Sequence, residues 1–257
     1  MDSKLRKWLP PFLVFAVFLM VWQAAVDLFH IDEYILPSPL VIARNTLAVA
    51  PRLLEHTQET LTITLIGFAA GAAAGFVLAA LLHLLPGARA GLYPLLVLTQ
   101  NVPLMALGPL LVLWFSFGML PRVLLIMLVC FFPVAVAMLT GLTQTERALM
   151  NYMRMIGASR RTLFLRLELP CAVPYLFSGL KIAASYSVIS AIYAEAIGGS
   201  KGLGSFMLIS QHGFETSNVF SAIAVIVLLS FALFGFIAAA ERLCLRGRQG
   251  NEGGEAE

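Results

Sequence analysis

The chain has 257 residues, of which 60% belong to the AVILMFWYC set and 12% are charged, and its mean hydropathy is +0.88. Soluble domains carry roughly 45–50% apolar and about 25% charged residues, so the composition excludes a water-soluble enzyme. Three cysteines are too few for a disulfide scaffold, and a net charge of +3 is too small for a nucleic-acid-binding protein. Lipid is therefore the main solvent of this protein.

Six apolar stretches are long enough to cross a bilayer as α-helices, which takes about 20 residues each. They span residues 8–29, 61–85, 92–117, 123–142, 171–197 and 219–240. The first exceeds the apolar core of a signal peptide, about 7–15 residues, and no clear cleavage site follows it. We predict an all-α membrane protein with six transmembrane helices, and a cleaved first segment is the alternative.

Basic residues predict the orientation, because cytoplasmic segments of membrane proteins are enriched in lysine and arginine. If the N-terminus is cytoplasmic, 12 of the 17 lysines and arginines lie inside and four lie outside, while Lys181 lies within the fifth span. We therefore predict that both termini are cytoplasmic. Residues 1–7 are then a cytoplasmic N-terminus, residues 8–240 one transmembrane domain, and residues 241–257 a disordered cytoplasmic tail.

In the second span, Gly67, Gly71 and Gly75 recur every four residues. This G-x-x-x-G spacing lets a neighbouring helix approach closely, because glycine has no side chain to hold the backbones apart. The sequence leaves open whether that neighbour belongs to the same chain or to a second copy.

In the third span, Gln100 and Asn101 precede Pro103, where the proline is expected to bend the helix. One interpretation is that the two amides satisfy backbone groups that the bend exposes, and the other is that they contact a transported solute. Both interpretations stay open, and both residues are candidates for a solute pathway.

The loop at residues 143–170 carries five arginines and two glutamates. Gly157 divides it into two predicted short helices, one over residues 146–156 and one over residues 159–167, and Pro170 is expected to end the second. Four apolar residues share one face of the first helix at helical spacing: Leu149, Met150, Met153 and Ile156. A basic loop lying on anionic lipid is the simplest interpretation of this segment.

The fifth span presents a stripe of small and hydroxyl-bearing side chains. Close helix packing explains its glycine and alanine, whereas tyrosine rings and a serine hydroxyl are suited to a planar heterocyclic solute. The stripe consists of Gly179, Ala183, Tyr186, Ser190 and Tyr193, and we predict that its last three members line the pathway.

Two ionisable residues lie in the same span, and each needs a physical reason to be in lipid. Lys181 is expected to extend its long side chain to the cytoplasmic interface. Glu195, near the outer end, either lines an external gate or simply reaches water, and it is a further pathway candidate. About 21 Å of helix separates the two residues, so they cannot pair.

The loop resembles the cytoplasmic loop of ABC-importer permeases, whose pattern is E-A-A-x-x-x-G-x(9)-I-x-L-P. Gly157, Leu167, Leu169 and Pro170 match in register, whereas Asn151-Tyr152-Met153 replaces E-A-A. Further segments resemble permeases of the nitrate, sulfonate and taurine type, and most of all those for thiamine pyrimidine precursors and riboflavin. These segments are residues 36–39, 103–110, 178–184 and 195–204, and the resemblance covers roughly residues 35–240.

The resemblance implies the transmembrane domain of a type I ABC importer, a multi-pass protein of the cell membrane. Two permease copies, in the simplest case a homodimer, form the pathway, an external binding protein delivers the solute, and a cytoplasmic ATPase subunit binds ATP and Mg²⁺. It implies no cofactor on this chain, which also lacks a G-x-x-x-x-G-K-[ST] phosphate loop. The implied ATPase-coupling residues are Asn151, Tyr152, Met153, Gly157, Ala158, Ser159, Leu167, Leu169 and Pro170.

The best interpretation of the sequence is thus a permease for a thiamine pyrimidine precursor or a related heterocyclic vitamin. An importer of sulfonate, taurine or nitrate anions is the alternative. A secondary transporter would need charged groups at the membrane midplane and usually an internal repeat, and neither is evident. An intramembrane enzyme would need paired catalytic groups, and no catalytic or metal-ligating set is predicted.

Overall fold

The structure is a computed structural model that describes residues 2–99 and 102–249. Within those residues the regular structure is entirely helical, which confirms the predicted all-α class. The helices are α1 Asp2–Leu28, α2 Pro39–Ala48, α3 Ala50–Leu84, α4 Pro86–Thr99, α5 Leu104–Phe115, α6 Met119–Thr143, α7 Arg147–Met155, α8 Arg160–Leu163, α9 Leu169–Gly198, α10 Leu203–His212 and α11 Thr216–Gln249, and a π-helical segment, Phe164–Glu168, joins α8 to α9.

Five segments of the described chain are long and apolar enough to span a bilayer: Pro10–Leu28, Ala50–Leu84, Met119–Thr143, Arg160–Gly198 and Thr216–Leu245. In place of the predicted third span, the short helices α4 and α5 follow one another. Pro103 is extended (φ −61°, ψ 125°), and a residue that precedes proline is disfavoured in a helix, so the chain breaks there. The six-span count and the orientation remain predictions.

The glycine repeat of α3 packs against α6 of the same chain. A carbon atom placed at the Cβ position of Gly71 would lie 2.6 Å from the carbonyl oxygen of Met127, and one at Gly75 would lie 2.5 Å from that of Phe131. The two backbones therefore touch along this seam, which answers the question that the sequence left open. Next to this seam, Gly179 of α9 packs on the backbone of Pro133 of α6 in the same manner.

Lys181 and the C-terminal segment both differ from their predictions, and α11 is involved in both. The Nζ atom of Lys181 lies 2.8 Å from Oε2 of Glu241 on α11, so the lysine finds its partner inside the protein. Glu241 belongs to α11, which stays helical through Gln249. Residues 241–249 are thus helical, contrary to the predicted disordered tail, and residues 250–257 lie outside the described chain.

The bundle has two ends that serve as landmarks. Because α9 has 30 residues, it is about 45 Å long, and α7 and α10 lie beyond its opposite ends. We refer to these as the α7 end and the α10 end. The sequence predicts that the α7 end is cytoplasmic.

Candidate functional site

The loop at the α7 end folds as its local sequence predicts. The first short helix is α7, which ends at Met155, and Gly157 follows its C-cap with a positive φ of +82°. The N–H of Ala158 donates to the carbonyl of Met153, and that of Gly157 donates to the carbonyl of Arg154, both at 3.0 Å. This is a Schellman motif, in which glycine provides the left-handed residue that closes a helix. Ser159 then caps α8 by accepting a hydrogen bond from the N–H of Thr162.

Pro170 does not end the second helix, contrary to the prediction. The chain passes through the π-helical segment into α9, and the N–H of Leu169 donates to the carbonyl of Phe164, five residues earlier. Proline has no N–H for the usual bond to a carbonyl four residues back, and a local π-register lets the helix absorb that loss. The coupling segment, by which we mean residues 143–170, is therefore continuous with a membrane-spanning helix.

Four large apolar side chains are exposed on and just after α7, and we call this patch of Leu149, Tyr152, Met155 and Ile156 the α7 tip. Tyr152 is 56% exposed and Met155 is 79% exposed, and Leu149 and Ile156 lie beside them. The predicted apolar face is partly wrong, because Met150 and Met153 turn toward the bundle and are half-buried. An exposed apolar patch of this kind on a soluble loop is typical of a protein interface.

The other predicted coupling residues divide into two groups. Asn151, Gly157 and Ser159 lie on the surface with Tyr152. The remainder hold the segment to the bundle: Leu167 is buried, and Met153, Ala158, Leu169 and Pro170 are half-buried. The surface of the coupling segment is thus built by α7 and the turn that follows it.

The coupling segment also carries five exposed arginines: Arg147, Arg154, Arg160, Arg161 and Arg166. Among the ion pairs of the described residues, none involves these five. Of the two glutamates of the segment, Glu168 pairs with His83 of α3, and Glu146 is exposed at the start of α7. The coupling segment therefore combines an exposed apolar patch with exposed positive charge.

The predicted pathway residues do not form one surface. Gln100 and Asn101 lie outside the described residues. Tyr186 is exposed, whereas Ser190 is buried and donates to the carbonyl of Tyr186. Tyr193 packs its ring against Gly108 of α5.

Glu195 is fully buried and serves the fold, contrary to its predicted place on the pathway. Its Oε2 accepts a hydrogen bond of 2.8 Å from the N–H of Gly204, and Thr60 accepts one of 2.9 Å from the N–H of Leu203. These N–H groups begin α10 and have no partner within that helix, so the two side chains cap it. Sequence reasoning missed this cap because Thr60 is 143 residues away from Leu203.

A surface ion pair lies next to this cap. Lys201 lies between α9 and α10, and its Nζ donates a 2.7 Å hydrogen bond to Oε1 of Glu55. This hydrogen bond raises the pKa of Lys201 above its ordinary value. Both side chains are more than half exposed, so the pair adds little to stability.

The exposed face of α9 contains polar residues that sequence reasoning missed. Alternate turns present aromatic, hydroxyl and aliphatic side chains, a mixture unlike a surface adapted to lipid tails. The exposed residues of this face are Tyr175, Ser178, Ile182, Ser185, Tyr186 and Ile189. The recurrence of serine and tyrosine at helical spacing was the signal in the sequence. The predicted stripe shares Tyr186 with this exposed face, but its members Gly179, Ala183 and Ser190 are buried.

The family model described as "Binding-protein-dependent transport system inner membrane component" matches residues 67–243, which is more than half of the chain. The chain belongs to this family of permeases. It is therefore the membrane-embedded permease subunit of an ABC importer, and the matched region includes the coupling segment and the exposed face of α9.

Relatives support the same assignment over nearly the whole permease. A "Probable ABC transporter permease protein" of Haemophilus influenzae is 35% identical over 88% of this chain and 92% of the relative. The formylaminopyrimidine transport permease protein ThiX of Halalkalibacterium halodurans is 33% identical, with coverage of 94% and 96%. The riboflavin transport system permease protein RibX of Chloroflexus aurantiacus is 32% identical, with coverage of 89% and 86%.

The permease fold is also found among solved structures. A chain of the MetNI methionine ABC transporter in an inward-facing conformation superposes with a TM-score of 0.67. The superposition covers 77% of this chain and 98% of that chain, at 18% sequence identity. The likeness shows a shared fold.

Proposed function

We propose that this permease imports its solute by docking an ATPase subunit on the α7 tip. The observation that carries the proposal is the exposure of Leu149, Tyr152, Met155 and Ile156 on a helix outside the membrane-spanning segments. Apolar side chains at such a position gain free energy by burial in a partner, about 1.5–3 kcal/mol for each large side chain. The resemblance of the loop to the coupling loops of ABC importers supports the same partner.

The exposed arginines of the coupling segment indicate the chemistry of the docking groove. Exposed apolar side chains and five exposed arginines on one segment favour a groove that has both apolar and acidic residues. Asn151 carries no charge, so this permease does not supply a carboxylate at the position where the family pattern has glutamate. We expect binding of the ATPase subunit to weaken as salt concentration rises, because salt screens exposed charges.

Replacing Met155 with serine should weaken binding of the ATPase subunit by about tenfold or more, since the most exposed apolar side chain of the tip would lose its buried contact. The affinity is measured with the purified full-length permease in lipid nanodiscs and its ATPase subunit.

Leu47→Ser is the matched control for this measurement. Leu47 is 77% exposed, close to the 79% of Met155, but it lies on α2 and away from the coupling segment. The control should bind the ATPase subunit as the unaltered chain does. Equal affinities of the Met155→Ser and Leu47→Ser proteins would contradict docking at the α7 tip.

The solute that we propose is a thiamine pyrimidine precursor or a related heterocycle, carried between two copies of this permease and delivered by an external binding protein. The exposed ring of Tyr186 is suited to stack on a planar heterocycle, and the hydroxyl of Ser185 to bond its edge. Tyr175 and Ser178 repeat this combination about 16 Å away along the same helix. Similarity to permeases named for formylaminopyrimidine and for riboflavin supports this class. The alternative is an anion such as taurine, for which another similar permease is named.

We expect Tyr186→Leu to lower ATP-driven uptake by about threefold to tenfold, because the variant loses a stacking ring. Tyr186→Phe keeps the ring and should retain most of the uptake. Uptake of labelled formylaminopyrimidine, riboflavin and taurine is compared in liposomes that contain the permease, the ATPase subunit and the binding protein. Uptake of taurine without either heterocycle would overturn the proposed solute class.

A further inference from the structure

At the α7 end, Glu168 of the coupling segment forms a polar contact with His83 of α3. Nε2 of His83, in the last turn of α3, lies 2.9 Å from Oε2 of Glu168, at the end of the π-helical segment. Their side chains are only 16% and 12% exposed. A contact that is largely shielded from water is screened weakly and is costly to break by removing one partner.

Apolar packing surrounds this contact and keeps its geometry. The ring of Phe164 lies 6.2 Å from the His83 ring, centroid to centroid. Phe164 and Leu169 pack on a buried cluster that includes Leu82 of α3 and Leu142 of α6. The π-helical segment therefore contacts α3 through both a polar pair and an apolar surface.

At its other end, α3 is attached to α10. His56 accepts a hydrogen bond of 3.0 Å from the N–H of Gly202, and Thr60 accepts one from the N–H of Leu203. His56 and His83 are 27 positions apart on one uninterrupted helix, which corresponds to about 40 Å. A helix attached at both ends in this way transmits an axial displacement from one end to the other.

We infer that the His83–Glu168 pair is a positioning link that makes α3 follow the coupling segment, so that movement at the α7 tip reaches α10 at the opposite end of the bundle. The inference rests on the proposed function, because it assumes that an ATPase subunit moves the segment. Neither side chain contacts solute or ATP in this role. The glycine seam carries α6 along with α3.

The test measures whether α3 and the coupling segment move together. Nitroxide labels are attached at Leu81→Cys on α3 and Leu165→Cys on the segment, both exposed positions, after Cys171 and Cys244 are replaced by serine. The distance between the labels is recorded for the full complex in nanodiscs, without nucleotide and with ATP, Mg²⁺ and vanadate. The unaltered pair should give one narrow distribution that is the same in both states.

His83→Leu should uncouple the movement of α3 from that of the coupling segment. The distance between the labels should then change when nucleotide is trapped, and the fraction of molecules that keep the original distance should fall by about fivefold. Affinity for the ATPase subunit and the KM for ATP should stay unchanged. The exchanged pair, His83→Glu with Glu168→His, should restore the narrow distribution. Glu168→Gln keeps a hydrogen-bond acceptor and is a milder variant in case His83→Leu folds poorly.

Lys201→Leu is the matched control, because it breaks the 2.7 Å pair with Glu55 near the other end of α3. It should leave the label distance unchanged. If His83→Leu binds the ATPase subunit normally and its label distance stays as narrow and constant as in the unaltered chain, the inference is wrong while the proposed docking still holds. Unweakened ATPase binding by the Met155→Ser protein would instead overturn the docking that the inference assumes.

Discussion

Gly71→Leu is expected to prevent formation of the folded bundle. Even the first carbon of the new side chain would lie 2.6 Å from the carbonyl oxygen of Met127 and 2.8 Å from Cβ of Cys130. These atoms belong to the backbone and core of α6 and cannot rotate away, so α3 and α6 would have to separate along the seam. Overpacking of this kind costs about 3 kcal/mol or more. The yield of monodisperse protein in detergent and its unfolding temperature measure the effect.

Gly235→Leu is the control for that measurement, because it makes the same change within another membrane-spanning helix. A side chain at Gly235 of α11 would meet no atom within 4 Å. Its protein should be produced and should unfold as the unaltered chain does. If Gly71→Leu were equally well tolerated, the close seam between α3 and α6 would be wrong.

The second large effect is expected for Gly202→Ala. Gly202 has φ +114° and ψ 162°, a region that is essentially restricted to glycine and costs other residues about 1–3 kcal/mol. The new methyl group would also overlap the carboxylate of Glu195, which lies directly against Gly202. The cap of α10 would be displaced, and we expect a lower unfolding temperature together with loss of ATP-driven uptake.

Two further variants separate these causes. Gly213→Ala lies at the other end of α10, where φ is −79° and the nearest neighbour of a new carbon would be 3.5 Å away, so it should be neutral. Glu195→Ala removes the acceptor for the N–H of Gly204 without adding bulk, and an unsatisfied buried N–H costs about 1–3 kcal/mol. Glu195→Gln keeps an oxygen acceptor and should be the milder of the two. Full stability of Glu195→Ala would show that the cap is dispensable.

Local physical chemistry explains which structural predictions succeeded. The length of apolar runs depends on the thickness of the bilayer. At residues 146–159, a short helix, a glycine turn and a serine cap depend on hydrogen bonds between residues a few positions apart. Both therefore appear in the sequence. The break at Pro103 was evident as a bend, but its extent was underestimated, because the residue before a proline also leaves the helix.

Predictions that failed concern groups whose partners or local geometry have no pattern in the sequence. Pro170 was expected to end a helix, since the compensating π-register of residues 164–168 has no pattern that distinguishes it from ordinary helix. Glu195 was assigned to the pathway because its cap on α10 depends on the arrival of Gly202 and Gly204 against the end of α9. Lys181 was expected to reach water, although α11 supplies Glu241 at 2.8 Å.

The sequence alone determined that this chain is a helical membrane protein, that it resembles ABC-importer permeases, and that a glycine-hinged basic loop is its characteristic feature. The tertiary structure decided which neighbour the glycines of α3 contact, which loop residues are exposed, and which buried polar groups serve the fold. The reason is that burial in lipid and local hydrogen bonding act within one segment, whereas the partner of a buried polar group depends on which helices pack together.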